Sequence, residues 1–159
     1  MLSETGHIDR TRFPSGPWDN EPDKLSWTDE TTGLPCLICR NQSGALCGYV
    51  GVPPTHKLHG LAYPKLNVQV HGGLTYSDSC DPAGYICHHP APGEPDNIWW
   101  FGFDTAHAGD LVPTLLPYRT PSLLPLHETY KTISYVQQQT IQLAAQLHSY
   151  HNTIDEDPF

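Results

Sequence analysis

The residues with the most chemical capacity in the least space are Asp104, His107 and Asp110, set three apart and separated only by Thr105, Ala106, Ala108 and Gly109. Two carboxylates and an imidazole can pass a proton or hold a cation, and small spacers leave room for a ligand close to the backbone. A helical turn would bring residues three apart onto one face, and in a loop Gly109 would permit the same convergence. With coordination positions left open, Asp104, His107 and Asp110 suit a hydrolytic divalent metal such as Zn²⁺, Mn²⁺ or Mg²⁺. The plainer reading is structural, with Asp104 capping a turn, His107 a hydrogen-bonded linker and Asp110 closing the loop.

A second centre is His71-Gly72-Gly73. Backbone amides freed by two glycines beside an imidazole can receive a phosphate or an oxyanion, and Thr75 adds a hydroxyl. His71, Asp104, His107 and Asp110 are thus the candidate catalytic residues. Gly72, Gly73, Thr75, Tyr76 and Trp100 are candidate ligand contacts, Trp100 as a surface for stacking a planar group. The alternatives are a simple bulge with His71 bonded to nearby backbone, and a Trp99-Trp100 pair that serves only as core.

Short elements must position these groups. Leu25–Thr28, Pro35–Arg40 and Ala45–Val50 are apolar runs separated by the polar turns Asp29–Gly33 and Asn41–Gly44, which is a hairpin signature. Gly51–Pro64, with three prolines, His56 and His59, reads as loop. Asn67–Tyr76 alternates, with Val68, Val70, Leu74 and Tyr76 on one face, and is expected to be a strand notched at its glycines. Further strands are expected at Tyr85–His89 and Ile98–Asp104, with residues 111–125, which hold four prolines, as a wrapping loop. From Leu126 to Asn152 no proline or glycine intrudes, and Leu126, Tyr130, Ile133, Val136, Thr140, Leu143 and Leu147 step by three and four, the pattern of a long amphipathic helix. The fold class is therefore α+β, a mostly antiparallel sheet with one long C-terminal helix. Residues 1–24 read as a partly ordered N-terminal arm that Phe13 and Trp18 could tack down, 25–152 as a single domain, and 153–159 as an acidic tail.

Composition narrows the function classes. A formal charge of −9 with only eight Lys and Arg gives no basic stripe, which disfavours polymeric nucleic acid and anionic membranes but not a single nucleotide. No apolar run approaches a membrane span and no basic-then-apolar leader opens the chain, so a cytoplasmic protein is expected. The five cysteines are an odd number and read as reduced thiols. Cys36 and Cys39, if on a strand, point to opposite faces and read as buried thiols rather than half of a zinc knuckle. Ten histidines raise the prior for acid–base or metal chemistry, although several must be ordinary residues.

The chain resembles a recurrent small protein of phage and prophage genomes. The resemblance rests on Gly33-Leu-Pro-Cys-Leu37, Leu46-Cys-Gly-Tyr-Val-Gly-Val-Pro53, Val70-His-Gly-Gly-Leu-Thr-Tyr76, Ile86-Cys-His88, the run from Pro92 to Asp104, and Ala106-His-Ala-Gly-Asp110. It spans most of residues 25–147. That family commonly has cysteine where this chain has Thr105, which argues against a required thiol there. The resemblance implies a phage context, hence host cytoplasm and anti-defence roles such as capture or destruction of nucleotide signals. The leading expectation is a metal-assisted hydrolase of a small phosphorylated or nucleotide-like molecule. The alternatives are a non-catalytic protein that sequesters a small nucleotide and a protein-interaction module; assembly into a homo-oligomer is open.

Overall fold

The computed structural model describes residues 1–6, 8–80, 86, 97–118 and 128–156, the last six by backbone alone. Six strands, β1 (Leu2–Glu4), β2 (Lys24–Thr28), β3 (Pro35–Arg40), β4 (Leu46–Val52), β5 (Tyr76–Ser79) and β6 (Trp99–Asp104), form one antiparallel sheet in the order β1-β2-β3-β4-β6-β5. One long helix, α1 (Ile133–Glu156), lies on β3 and β4. This is the α+β arrangement expected from the sequence.

The central strands are nearly continuous apolar runs because they are covered on both sides. Ile38, Leu46, Val50, Phe101 and Phe103 meet Val136, Leu143, Ala144 and Leu147 of the helix, all 1% exposed or less. Full burial of each large side chain contributes about 1.5–3 kcal/mol, so this layer dominates the stability of the domain. Gly48 lets the helix approach, because a Cβ there would come within 2.5 Å of Phe103 and of Thr140 Oγ1. On the other face Leu37, Cys39, Cys47, Tyr49, Ile98 and Trp100 form a second cluster, with Tyr76 and Ile86 against it.

Two expectations are corrected. Asn67–Tyr76 is not a strand until Tyr76; residues 66–70 belong to no strand, and their backbone bonds side chains of α1 instead. Tyr150 Oη bonds both the N–H and the C=O of Asn67, the Gln146 amide bonds both those of Gln69, and Gln139 Oε1 accepts from the His71 N–H. Val68, Val70 and Leu74 of the expected face do pack against the core beneath the helix, whereas Tyr76 joins the cluster on the other face of the sheet. The helix begins at Ile133 rather than Leu126. Thr129 instead bridges Asp110, Thr132 Oγ1 accepts from the Tyr135 N–H, and Glu21 accepts from the Ile133 N–H. The lead-in is pinned: β1 pairs with β2, and Trp18, 2% exposed, stacks edge-on against Tyr130.

Apart from Ile86, the strand expected at Tyr85–His89 lies outside the described residues, as do residues 119–125 of the wrapping loop, the first two residues of the expected helix and the last residues of the acidic tail. Among the described residues no helix is long and apolar enough to cross a membrane.

Candidate functional site

His71 ends the segment that Gln139, Gln146 and Tyr150 hold along the helix, and this places its ring beside the loop that follows β6. His71 Nε2 lies 3.0 and 2.9 Å from the two carboxylate oxygens of Asp110, and Nδ1 lies 2.8 Å from Tyr135 Oη. Asp110 is 2% exposed. Burial alone would raise its pKa, but hydrogen bonds from His71, from the His107 N–H and from Lys131 outweigh that cost and hold the carboxyl below its ordinary range. Lys131 Nζ stands 3.1 Å from Oδ1, and the His107 N–H donates to Oδ2 at 3.0 Å.

The other carboxylate has its own imidazole. His107 Nε2 lies 3.1 Å from Asp104 Oδ1, an ion-pair distance, but the alignment is too poor for a hydrogen bond and leaves that buried nitrogen without one. Asp104 also accepts from the Ala106 N–H and from Thr75 Oγ1, so it closes a turn as well as facing a histidine. The His71 and His107 rings are 6.1 Å apart, tilted by 58°. Gly72 is what allows this spacing. It adopts φ +68°, and a Cβ at this position would fall 2.2 Å from the His107 ring.

The expected residues therefore divide. His71, Gly72, Thr75, Asp104, His107 and Asp110 come together. Gly73 does not offer its amide to an anion, because that N–H closes a turn onto Val70 C=O. Trp100 is fully buried among Leu37, Tyr49 and Ile98 and is core rather than a stacking surface. Tyr76 belongs to the same second cluster, edge-on to Tyr49 at 5.4 Å. Sequence reading missed Lys131, Tyr135 and Gln139. Lys131 just before α1 and Tyr135 and Gln139 on its first turns were visible in the sequence, but nothing in their spacing indicated that the His71 segment would lie against them.

The three-residue metal set does not fit the geometry. Both oxygens of Asp110 are engaged by His71, Lys131 and the His107 amide, and among the described residues no three His, Cys, Asp or Glu side chains converge on one point.

The remaining polar groups have plain roles. His56 accepts from the Leu58 N–H at Nδ1 and donates from Nε2 to Leu147 C=O, tying the loop after β4 to the helix. Cys36 and Cys39 face opposite layers, as strand geometry requires. Burial pushes the Cys36 and Cys39 thiols up to about 12 and about 11. Cys47 is raised to about 12 by burial and by Asp104 opposite it, so all three are poor nucleophiles. Cys80 is disulfide-bonded, which corrects the expectation of reduced thiols throughout. Thr105, buried, donates to Leu46 C=O.

Comparison of the chain with known proteins finds no matching family model, no similar curated protein and no similar solved structure.

Proposed function

We propose that this protein is a hydrolase of a small phosphorylated or nucleotide-like molecule, working by general acid–base catalysis. One observation carries the reading: two imidazoles, each beside a carboxylate, stand 6.1 Å apart at the edge of one loop. Hydrolysis of a phosphate ester needs one group to take a proton from the attacking water and another to give one to the leaving oxygen, and two histidines at this separation can flank a phosphoryl group. The His71–Asp110 pair is the base side, because a buried, ionised carboxylate stabilises the imidazolium that forms when the ring receives a proton. His107, beside Asp104, is the acid side. Lys131 supplies a cation at the margin of the site, and the Thr75 hydroxyl, which donates to Asp104, orients that carboxylate. A phage setting, with a nucleotide signal as substrate, agrees with the motif resemblance.

The test is to incubate purified protein with a panel of nucleotides and phosphate esters and to separate the products by chromatography. Hydrolysis that His107→Gln reduces by about 10²–10⁴-fold, and that a chelator leaves unchanged, supports the reading. A ligand bound and returned intact would make the protein a sequestering binder. Turnover abolished by chelation would assign the chemistry to a cation at Asp104 and His107.

A further inference from the structure

We propose that the atom His71 presents to substrate is the hydroxyl of Tyr135, which makes Tyr135 a catalytic residue of the site. The inference rests on the acid–base reading above and specifies its base side. Both ring nitrogens of His71 are committed, Nε2 to Asp110 and Nδ1 to Tyr135, so the ring meets substrate only through a partner. Asp110 is buried and held ionised, and an ionised carboxylate only accepts, so the proton between them sits on His71 Nε2. In the neutral ring Nδ1 is then a bare lone pair, and the phenol is the only donor for that contact. The Tyr135 hydroxyl lies 2.8 Å from Nδ1, with the two rings at 90° and their centroids 5.4 Å apart.

The resulting line runs from buried carboxylate to imidazole to the hydroxyl of a half-buried tyrosine. Its proton balance is closed. Nδ1 takes the phenolic proton as Tyr135 Oη takes one from water; the water oxygen bonds to phosphorus, the bond to the leaving oxygen breaks, and His107 protonates that oxygen. Return of the Nδ1 proton to bulk water, and reprotonation of His107 from it, restore the starting state.

A merely structural role for Tyr135 would be as one more rung holding residues 67–71 to the helix. The other rungs differ from it in kind. Tyr150, Gln146 and Gln139 all bond backbone groups, which suffices to hold the segment. Tyr135 bonds the side chain, and that side chain is backed by a carboxylate that Lys131 and a main-chain N–H also fix in place.

Acetylation by N-acetylimidazole, read by peptide mass spectrometry on the folded protein, tests this without knowledge of the substrate. A phenol with a general base at hand reacts faster than its exposure warrants, so Tyr135 is expected to be acetylated at least ~10-fold faster than Tyr118, which is 80% exposed. His71→Phe and Asp110→Asn should each remove the excess, and Tyr150→Phe should not. If Asp110→Asn fails to fold, His71→Phe alone decides. Tyr135 reacting no faster than Tyr118, or remaining fast in His71→Phe, would overturn the proposal. Fast labelling in a protein that hydrolyses no phosphate ester would uphold the activated phenol and overturn the hydrolase reading instead.

Discussion

Two polar clusters meet the start of α1 from opposite sides, and consecutive residues supply them: Tyr130 enters one and Lys131 the other. In the first, Arg40 sits on the sheet with a side chain that is 0% exposed. Its guanidinium donates to Asp23 Oδ1, Gly44 C=O, Tyr130 Oη, Glu21 Oε1 and Pro22 C=O. Those bonds use the full donor capacity of an arginine. Arg10 donates to the same Asp23 oxygen, Oδ1, and Glu21 reaches on to the helix N-terminus at the Ile133 N–H. The second cluster, at His71 and His107, is left open. The side chains of His71, Asp104 and His107 are 16%, 28% and 33% exposed, and His107 Nε2 lacks an aligned partner. A saturated, sealed network specifies structure: it joins the N-terminal segment, β3 and the helix into one unit. A network with a buried carboxylate anchor, partly exposed rings and one ring nitrogen left without a hydrogen bond is arranged for exchange with something outside.

Substitutions should separate the two regions, and the largest effect belongs to the sealed one. Arg40→Ala leaves the buried Asp23 with Arg10 as its one remaining cation and strips the half-buried Glu21 of its ion pair, and is expected to cost about 3–5 kcal/mol in urea unfolding, with little direct effect on the histidine site. Gly72→Ala should come next, at about 1–3 kcal/mol from strain at positive φ and the clash with His107, and it should displace that ring. Gln146→Ala removes two hydrogen bonds from the segment that carries His71. It should cost about 1–2 kcal/mol and speed amide exchange at Gln69, whose N–H loses its acceptor. His107→Gln should be nearly silent in stability, within about 0.5 kcal/mol, while removing activity. That inversion between stability and activity is the sharpest form of the contrast; a large stability loss at His107 would erase it.

Acid should damage both regions together. Asp23 and Asp110 are each held below the ordinary carboxyl range in the folded protein, against the opposing effect of burial. A group depressed on folding contributes stability that is complete above its unfolded pKa, near 3.8, and is lost as pH falls toward the folded value. Urea midpoints should therefore fall as pH drops below about 4, and Asp110→Asn should flatten the part of that decline that comes from the histidine site.

How much of this was legible in the sequence varies by element. Pro35–Arg40 could be bounded to the residue because polar turn clusters flank an apolar run and the strand pairs with its sequence neighbours. The helix face was readable because Val136, Thr140, Leu143 and Leu147 all seek the same layer. Asn67–Tyr76 misled for a physical reason: its alternation reflects real one-sided burial, but glutamine and tyrosine side chains on α1 satisfy its backbone. Side-chain pairing of that kind leaves no mark in periodicity. Arg40 was invisible as the centre of a network because its partners arrive from 4 to 90 positions away. In the candidate site, residue types and spacing brought His71, Asp104, His107 and Asp110 into view. Which carboxylate serves which imidazole was not legible, since Asp110 pairs with the histidine 39 positions away and leaves the nearer one to Asp104.

The most direct measurement is the tautomeric state of His71, from long-range ¹H–¹⁵N correlations of the ring nitrogens in protein labelled at histidine. The account predicts that the neutral ring is locked with its proton on Nε2, toward Asp110, and a bare Nδ1 that shifts when Tyr135 is changed to Phe. A ring protonated at Nδ1, or exchanging freely between both forms, would mean that carboxylate, imidazole and phenol do not act as one unit.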